Sequence, residues 1–215
     1  MDSKSAFKPI PPALLDQVNQ AVAVLRGGGI IAYPTDTVYG LGADIYNDEA
    51  VARVFHIKER PLNQPLPVLI ADSRQVELLT GDLSRATQLL MKKYWPGGLT
   101  IIVNKSSDFN SLVLAGGAKI GIRMPDHDIT RAVIRELGRP IVGTSANLHD
   151  RPAALTASEV IDQLGNRVDF ILNGGRCPGG KESTVIDLTI EPPAILRRGM
   201  IAEKEIMALI KTGGN

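Results

Sequence analysis

Apolar positions recur at helical spacing over residues 14–25, and the run Gly27-Gly28-Gly29 stops that helix. Residues 30–33 then read as a short buried strand that ends at Pro34. A second helix is predicted from a cap at Asn47 or Asp48 to about Ile57, with Val51, Val54 and Phe55 on its inner face. Residues 66–70 read as a strand, followed by helices near residues 74–79 and 85–94. Trp95-Pro96-Gly97-Gly98 makes a turn into a β-branched strand over residues 99–103. The second half alternates in the same way. Strands are predicted over residues 120–123, 140–143 and 168–172, with helices over 129–137, closed by Gly138, and 157–164. A loop over residues 174–180 leads to strands at 184–188 and 194–196 and a last helix near 203–210. Strands alternating with helices predict an α/β layered fold. The two consecutive strands near the end predict antiparallel pairing, and so a mixed sheet. No repeat, linker or low-complexity stretch divides the chain, so residues 1–215 are expected to form one domain.

Composition narrows the function. The 215 residues include 44% hydrophobic and 22% charged positions, enough for a sizeable core. A formal net charge of +1 gives no global pull toward nucleic acid or membrane, so any basic surface must be local. Aromatics at 4% argue against a single-strand binder built on base stacking. One cysteine, Cys177, excludes an intramolecular disulfide and a thiolate zinc site, and it sits in a Gly/Pro-rich loop with no activating partner in the sequence. His56, His127 and His149 show no metal-ligand spacing. Met1-Asp2-Ser3-Lys4-Ser5 lacks the apolar core of a signal peptide, and no apolar run reaches membrane-spanning length. A cytoplasmic protein without membrane association is the expectation.

Candidate chemistry collects at the ends of the predicted strands. Thr35, Asp36 and Thr37 crowd three hydrogen-bonding side chains onto one turn, where they either cap backbone amides or face a ligand. Gly40 and Gly42, just beyond, would let backbone approach a ligand closely. Lys58 and Arg60 end the second helix. They either complement its dipole or, with the rigid loop from Pro61 to Pro65, clamp a phosphate. Arg123 follows an apolar strand and could grip a carboxylate bidentately. Thr144-Ser145-Ala146-Asn147 also follows a strand, where open α/β sheets bind ligands, although helix capping explains it as well. Glu182-Ser183-Thr184 and Arg197-Arg198-Gly199 are further polar clusters of the same kind. There is no Walker phosphate loop and no G-x-G-x-x-G run, so a nucleotide would need an alternative such as this one.

Taken together, these segments resemble the YrdC-like family, the L-threonylcarbamoyladenylate synthases. Its marker is a Lys-x-Arg with a distant Ser-x-Asn, here Lys58-Glu59-Arg60 and Ser145-Ala146-Asn147. The run from Pro34 to Gly42, Gly121-Ile122-Arg123-Met124-Pro125 and Glu182-Ser183-Thr184-Val185 match too, so the likeness extends from Tyr33 to Gly199. Leu196-Arg197 also matches, but Arg198 stands where the family commonly has Pro, and Leu69 where some relatives have His near the threonine. The resemblance implies a twisted mixed, largely parallel sheet flanked by helices around a positively lined cavity. It implies ATP, L-threonine and bicarbonate as substrates, with Mg2+ carried on the ATP, and threonylcarbamoyl-AMP and pyrophosphate as products. A separate tRNA threonylcarbamoyltransferase complex would use the product to modify the adenosine beside the anticodon. Longer members carry a further C-terminal domain, and the expectation for this chain is the short form.

Residue by residue, the resemblance puts Thr37, Arg123 and Thr184 at the threonine, with Arg123 on its carboxylate. It puts Lys58, Arg60, Ser145, Asn147 and Arg197 at the nucleotide, with Lys58 and Arg60 toward the phosphates as the catalytic pair. Gln64 stands where relatives use Asn for the nucleotide. The main alternative is an RNA-binding module of the same fold, in which the cationic cavity holds a phosphate backbone; weak binding of tRNA or double-stranded RNA could also accompany the enzyme. Near-neutral charge and few aromatics count against the module. Carbamoyl transfer of the hydrogenase-maturation kind would call for zinc-finger segments that a single cysteine cannot supply. A paralogue of unsettled activity would tend to lack the intact Lys-x-Arg and Ser-x-Asn pair.

Overall fold

The computed structural model describes residues 10–148 and 151–213. Met1 to Ser5, on which the leader-peptide reading rests, and His149 lie outside them. In chain order the first elements are α1 (Pro12–Arg26), β1 (Ile31–Tyr33), β2 (Gly40–Gly42), α2 (Asp48–Ile57), β3 (Val68–Leu69), α3 (Arg85–Tyr94), β4 (Leu99–Asn104) and β5 (Lys119–Arg123). They are followed by α4 (Asp128–Leu137), β6 (Ile141–Val142), β7 (Thr144–Ser145), α5 (Ala157–Leu164), β8 (Phe170–Ile171), β9 (Thr184–Asp187), β10 (Ala194–Arg197) and α6 (Glu203–Gly213). No helix among the described residues is long and apolar enough to cross a membrane.

Local chemistry sets the helices. Pro12 opens α1, where its missing N–H costs nothing, and Val18, Ala21, Val22 and Leu25 form one buried stripe. That stripe packs with α4 in a core cluster that includes Val133, Ile134 and Leu137. Asn47 caps α2 by accepting from the Ala50 N–H at 2.9 Å, while Val51, Val54 and Phe55 turn inward as predicted. Gly138 closes α4 in the left-handed region, φ 78°. The helix expected near residues 74–79 is instead a short 3-10 turn, Ser73–Val76, because Asp72 accepts from the Arg74 N–H and holds the chain in a tight local turn.

The mixed α/β class is as expected, but the strands form two sheets and parallel pairing is the minority. One sheet has the order β7-β2-β1-β8 and the other β10-β9-β4-β5-β3-β6. Among the described residues only β1–β8, β3–β5 and β4–β9 are parallel, against five antiparallel pairings. The largely parallel sheet is therefore corrected. Antiparallel neighbours such as β4 and β5 are joined without a crossover helix, which parallel strands require. Strands β2 and β7 were not legible as strands because they are three and two residues long and rich in Gly or small polar residues.

Three glycines show how the sheets fit. An added Cβ at Gly40 or Gly42 would lie 2.5 or 2.6 Å from the Tyr33 ring, which crosses both positions and donates its hydroxyl to the Val142 carbonyl. The expectation that these glycines admit a ligand is corrected at Gly42; Gly40 does border the cavity described below, but its side-chain space is taken by Tyr33. At Gly143 the chain leaves β6, an edge of the six-stranded sheet, and enters β7, an edge of the four-stranded one. A Cβ there would meet the Leu69 side chain at 2.8 Å. The two sheets thus meet across a step that has no room for a side chain.

Candidate active site

A cavity of about 410 Å³ lies between the sheets. Its floor follows from the two-residue period of a strand. Lys119, Gly121 and Arg123 of β5, Thr100 and Ile102 of β4, and Val185 and Asp187 of β9 line it. The residues between them, including Ile101, Ile120, Ile122 and Ile186, enter the main core. Gly121 leaves the middle of the floor without a side chain. Tyr33 of β1, Gly40 of β2 and Thr144 and Ser145 of β7 close the opposite side. Arg60, Lys119, Arg123 and Arg197 line the cavity together with Glu182 and Asp187; Lys119 is paired with Asp187, Arg197 with Glu182 and Arg123 with Asp36. Leu69 makes one wall apolar.

The two marker motifs touch. Lys58 lies at the C-terminal end of α2, and its Nζ donates to the Ser145 carbonyl at 2.9 Å, the Asn147 carbonyl at 2.7 Å and Asn147 Oδ1 at 2.6 Å. An ammonium group has three protons, and all three are engaged. Lys58 is only 8% exposed and is not among the residues lining the cavity. Burial lowers its pKa to about 8, against an upward pull from Glu182 and a further downward push from Arg60. Helix-end electrostatics alone do not account for Lys58, because its partners belong to another element. Arg60 does line the cavity, and it also ties its own loop, donating from Nε to the Gln64 carbonyl and from Nη2 to the Pro65 carbonyl. Gln64 is exposed, and its link to the site is this carbonyl rather than its amide.

Arg123 is 6% exposed, yet lines the cavity. Its Nη2 donates to Asp36 at 2.5 Å, its Nη1 to the Thr37 hydroxyl at 2.9 Å, and its Nε to the Gly97 carbonyl at 3.0 Å. Asp36 also accepts from the Asp126 N–H at 3.1 Å. The turn itself is knotted by Thr35 Oγ1, which accepts from the N–H groups of Thr37 and Val38 and donates to the Val38 carbonyl. Below it the Cys177 sulfur accepts from the Thr35 N–H at 3.4 Å, and burial pushes that thiol up to about 11. Cys177 is therefore a packed thiol rather than a nucleophile.

Arg197 crosses from β10 to grip the Glu182-Ser183-Thr184 segment. It donates to the Ser183 carbonyl, the Ser183 hydroxyl and Glu182 at 2.9–3.0 Å. Thr184 is fully buried, and its hydroxyl donates to the Ile201 carbonyl and accepts from the Gly199 and Ile201 N–H groups. It secures the turn beside Arg197, and its neighbours Ser183 and Val185 line the cavity. The structure thus gathers Thr37, Arg60, Arg123, Ser145 and Arg197 around one space. Lys58 and Asn147 lie behind Ser145, Thr184 behind Arg197, and Gln64 outside.

Sequence reasoning missed Lys119 and Asp187 as wall residues, paired at 3.0 Å, and the orienting role of Asp36. Stepping back two residues at a time from Arg123 would have found Lys119, because alternate strand positions share a face. Among the described residues no group of three or more His, Cys, Asp or Glu side chains could hold a metal ion.

The Sua5/YciO/YrdC family model, described as telomere recombination, matches residues 23–199. The chain is 43% identical over 195 residues to threonylcarbamoyl-AMP synthase of Bacillus subtilis, covering 90% of this chain and 56% of that protein. It superimposes on the crystal structure of P. abyssi Sua5 complexed with L-threonine with a TM-score of 0.88 and 36% identity, covering 94% of this chain and 59% of that one. E. coli YciO gives a TM-score of 0.80 at 31% identity, covering 89% of this chain and 93% of that one. The chain therefore spans little more than half the length of the first two proteins.

Proposed function

This chain belongs to the Sua5/YciO/YrdC family, and on that premise we propose that it makes threonylcarbamoyl-AMP and pyrophosphate from L-threonine, bicarbonate and ATP. One observation carries the reading. Three arginines from separate parts of the chain, Arg60 in the loop after α2, Arg123 on β5 and Arg197 on β10, converge on a cavity whose walls hold more positive than negative charge. The names of the relatives support the same reading: threonylcarbamoyl-AMP synthase in Bacillus subtilis, and a Sua5 structure holding L-threonine.

In this reading the threonine amine and bicarbonate condense to a carbamate with loss of water. A carbamate oxygen then attacks the α-phosphorus of ATP, the bond to the β-phosphate breaks, and pyrophosphate leaves. No side chain becomes covalently attached. The chain's task is to hold two mutually repelling anions in line and to compensate the charge on the phosphates. Arg60 and Arg197 suit the phosphates. Arg123, with three of its five N–H groups already given to protein acceptors, keeps two for the threonine carboxylate. The residues do not fit a dedicated magnesium site, since Glu182 and Asp187 are paired with Arg197 and Lys119. No step here passes through a protein-held ion, and magnesium is assigned to the ATP phosphates. The product would serve a separate transferase complex that modifies tRNA.

The test is pyrophosphate release with each substrate omitted in turn. Release should require threonine, bicarbonate and ATP together, with the adenylate recovered from labelled threonine. Full-rate release without threonine would sink the proposal and indicate a pyrophosphohydrolase.

A further inference from the structure

The hydrogen-bond network behind Ser145 fixes which way its proton points. Asn147 Oδ1 lies 2.6 Å from the Lys58 ammonium and 2.7 Å from Ser145 Oγ, and Asn147 Nδ2 donates to the Arg151 carbonyl at 2.6 Å. Both ends define the amide orientation, because an ammonium group can only donate and a carbonyl can only accept. Oδ1 carries no proton, so the proton in its contact with Ser145 comes from the serine. The Ser145 hydroxyl is therefore already committed as a donor. Its lone pairs remain, Ser145 lines the cavity, and among the described residues no N–H or O–H is directed at its Oγ.

We propose that Ser145 is a specificity residue that accepts a hydrogen bond from the nucleoside part of ATP, and that it does not bind the phosphates. This rests on the nucleotide reading above and deepens it. An ionised phosphate oxygen brought to Ser145 Oγ would set acceptor against acceptor unless the serine proton turned away from Asn147. A nucleoside offers the complementary chemistry in its exocyclic amine and its ribose hydroxyls. The phosphates then fall to Arg60 and Arg197, which are donors only. Lys58 is on this account a positioning residue: its charge holds Asn147 Oδ1 in place, and Oδ1 holds the serine proton.

Calorimetric titration of the wild-type chain and Ser145→Ala with ATP and with inorganic triphosphate tests this directly. Ser145→Ala should weaken ATP by about two- to tenfold, the range for one neutral hydrogen bond, and leave triphosphate unchanged. ITP, 2′-deoxy-ATP and 3′-deoxy-ATP identify the donor. The analogue that lacks it should bind wild type more weakly by the same factor and be indifferent to Ser145→Ala. If the variant melts early, the analogue series on wild type still decides. Equal weakening of triphosphate and ATP overturns the inference, as does a series in which no analogue differs from ATP. Failure of wild type to bind ATP at all overturns the nucleotide reading together with it, whereas the first two results leave that reading standing.

Discussion

Arg123 holds its place through a planar fork that serves Asp36, Thr37 and the Gly97 carbonyl at once. Lysine keeps the charge but has a compact ammonium group that cannot span those three acceptors. Arg123→Lys should therefore weaken L-threonine by on the order of 1–3 kcal/mol and ATP by much less, as read by calorimetry. Equal losses for both ligands would count against a threonine-specific role. Lys58 gives a pH prediction with opposite signs in two measurements. Its folded-state pKa is lowered to about 8 from 10.5, first by burial. Between those values the unfolded chain keeps a proton that the folded chain has released, so this group makes stability rise with pH across that window. Synthesis should move the other way and fall above about pH 8, since neutral Lys58 loses one of the three donors that order Ser145 and Asn147. Lys58→Arg stays charged there, and the falling arm should disappear from whatever activity it retains. A pH–rate profile beside thermal melting checks this. A shared fall in rate and melting temperature that Lys58→Arg removes would contradict it.

At the scale of elements, the turn from Arg197 to Gly199 is pressed against the Glu182-Ser183-Thr184 segment. A Cβ at Gly199 would lie 2.3 Å from the Glu182 carbonyl oxygen and 2.5 Å from the Thr184 nitrogen, all backbone atoms that cannot swing aside. Gly199→Ala should destabilise by about 1–3 kcal/mol and loosen Arg197 from Ser183. Gly81→Ala, with nothing within 4 Å of the added carbon, is the control and should stay near wild type. Comparable melting temperatures for the two variants would refute the close approach. The same turn shows what the sequence could reveal. Helices α2 and α5 were legible to within a residue because capping and a 3.6-residue period are local signals. Strands β2 and β7 were not, since their pairing is decided by distant neighbours and their residues are small. Arg60, Arg123, Ser145 and Arg197 could be picked out as polar groups at element ends, and the family likeness grouped them. Asp36 as the partner of Arg123, and Lys58 as the partner of Asn147, are contacts across 87 and 89 positions that no local pattern encodes.

Over the whole molecule, the decisive quantity is the charge left between the two sheets. The Arg60 guanidinium is held below its usual range by burial and then by Arg197. Arg197 is lowered by burial, supported by Glu182 and opposed by Arg123. These cations therefore oppose one another in the unliganded chain, and a polyanion relieves the opposition. ATP at a hundred times its Kd should stabilise by about 2.7 kcal/mol, or about 5–10 °C in melting temperature for a chain of this size. In Arg60→Gln combined with Arg197→Gln the like-charge repulsion is gone, but so are the hydrogen bonds to the Pro65 and Ser183 carbonyls. These changes oppose each other, so the unliganded double variant should melt close to wild type. Its rise with ATP should vanish, and so should its rise with inorganic triphosphate, because the loss lies at the phosphates. L-Threonine should still raise its melting temperature, since Arg123 and its partners are untouched. Melting curves of the four samples, unliganded and with each ligand, separate the possibilities. An undiminished ATP shift in the double variant would remove the phosphates from Arg60 and Arg197, and with them the physical reason for the surplus charge in the cavity.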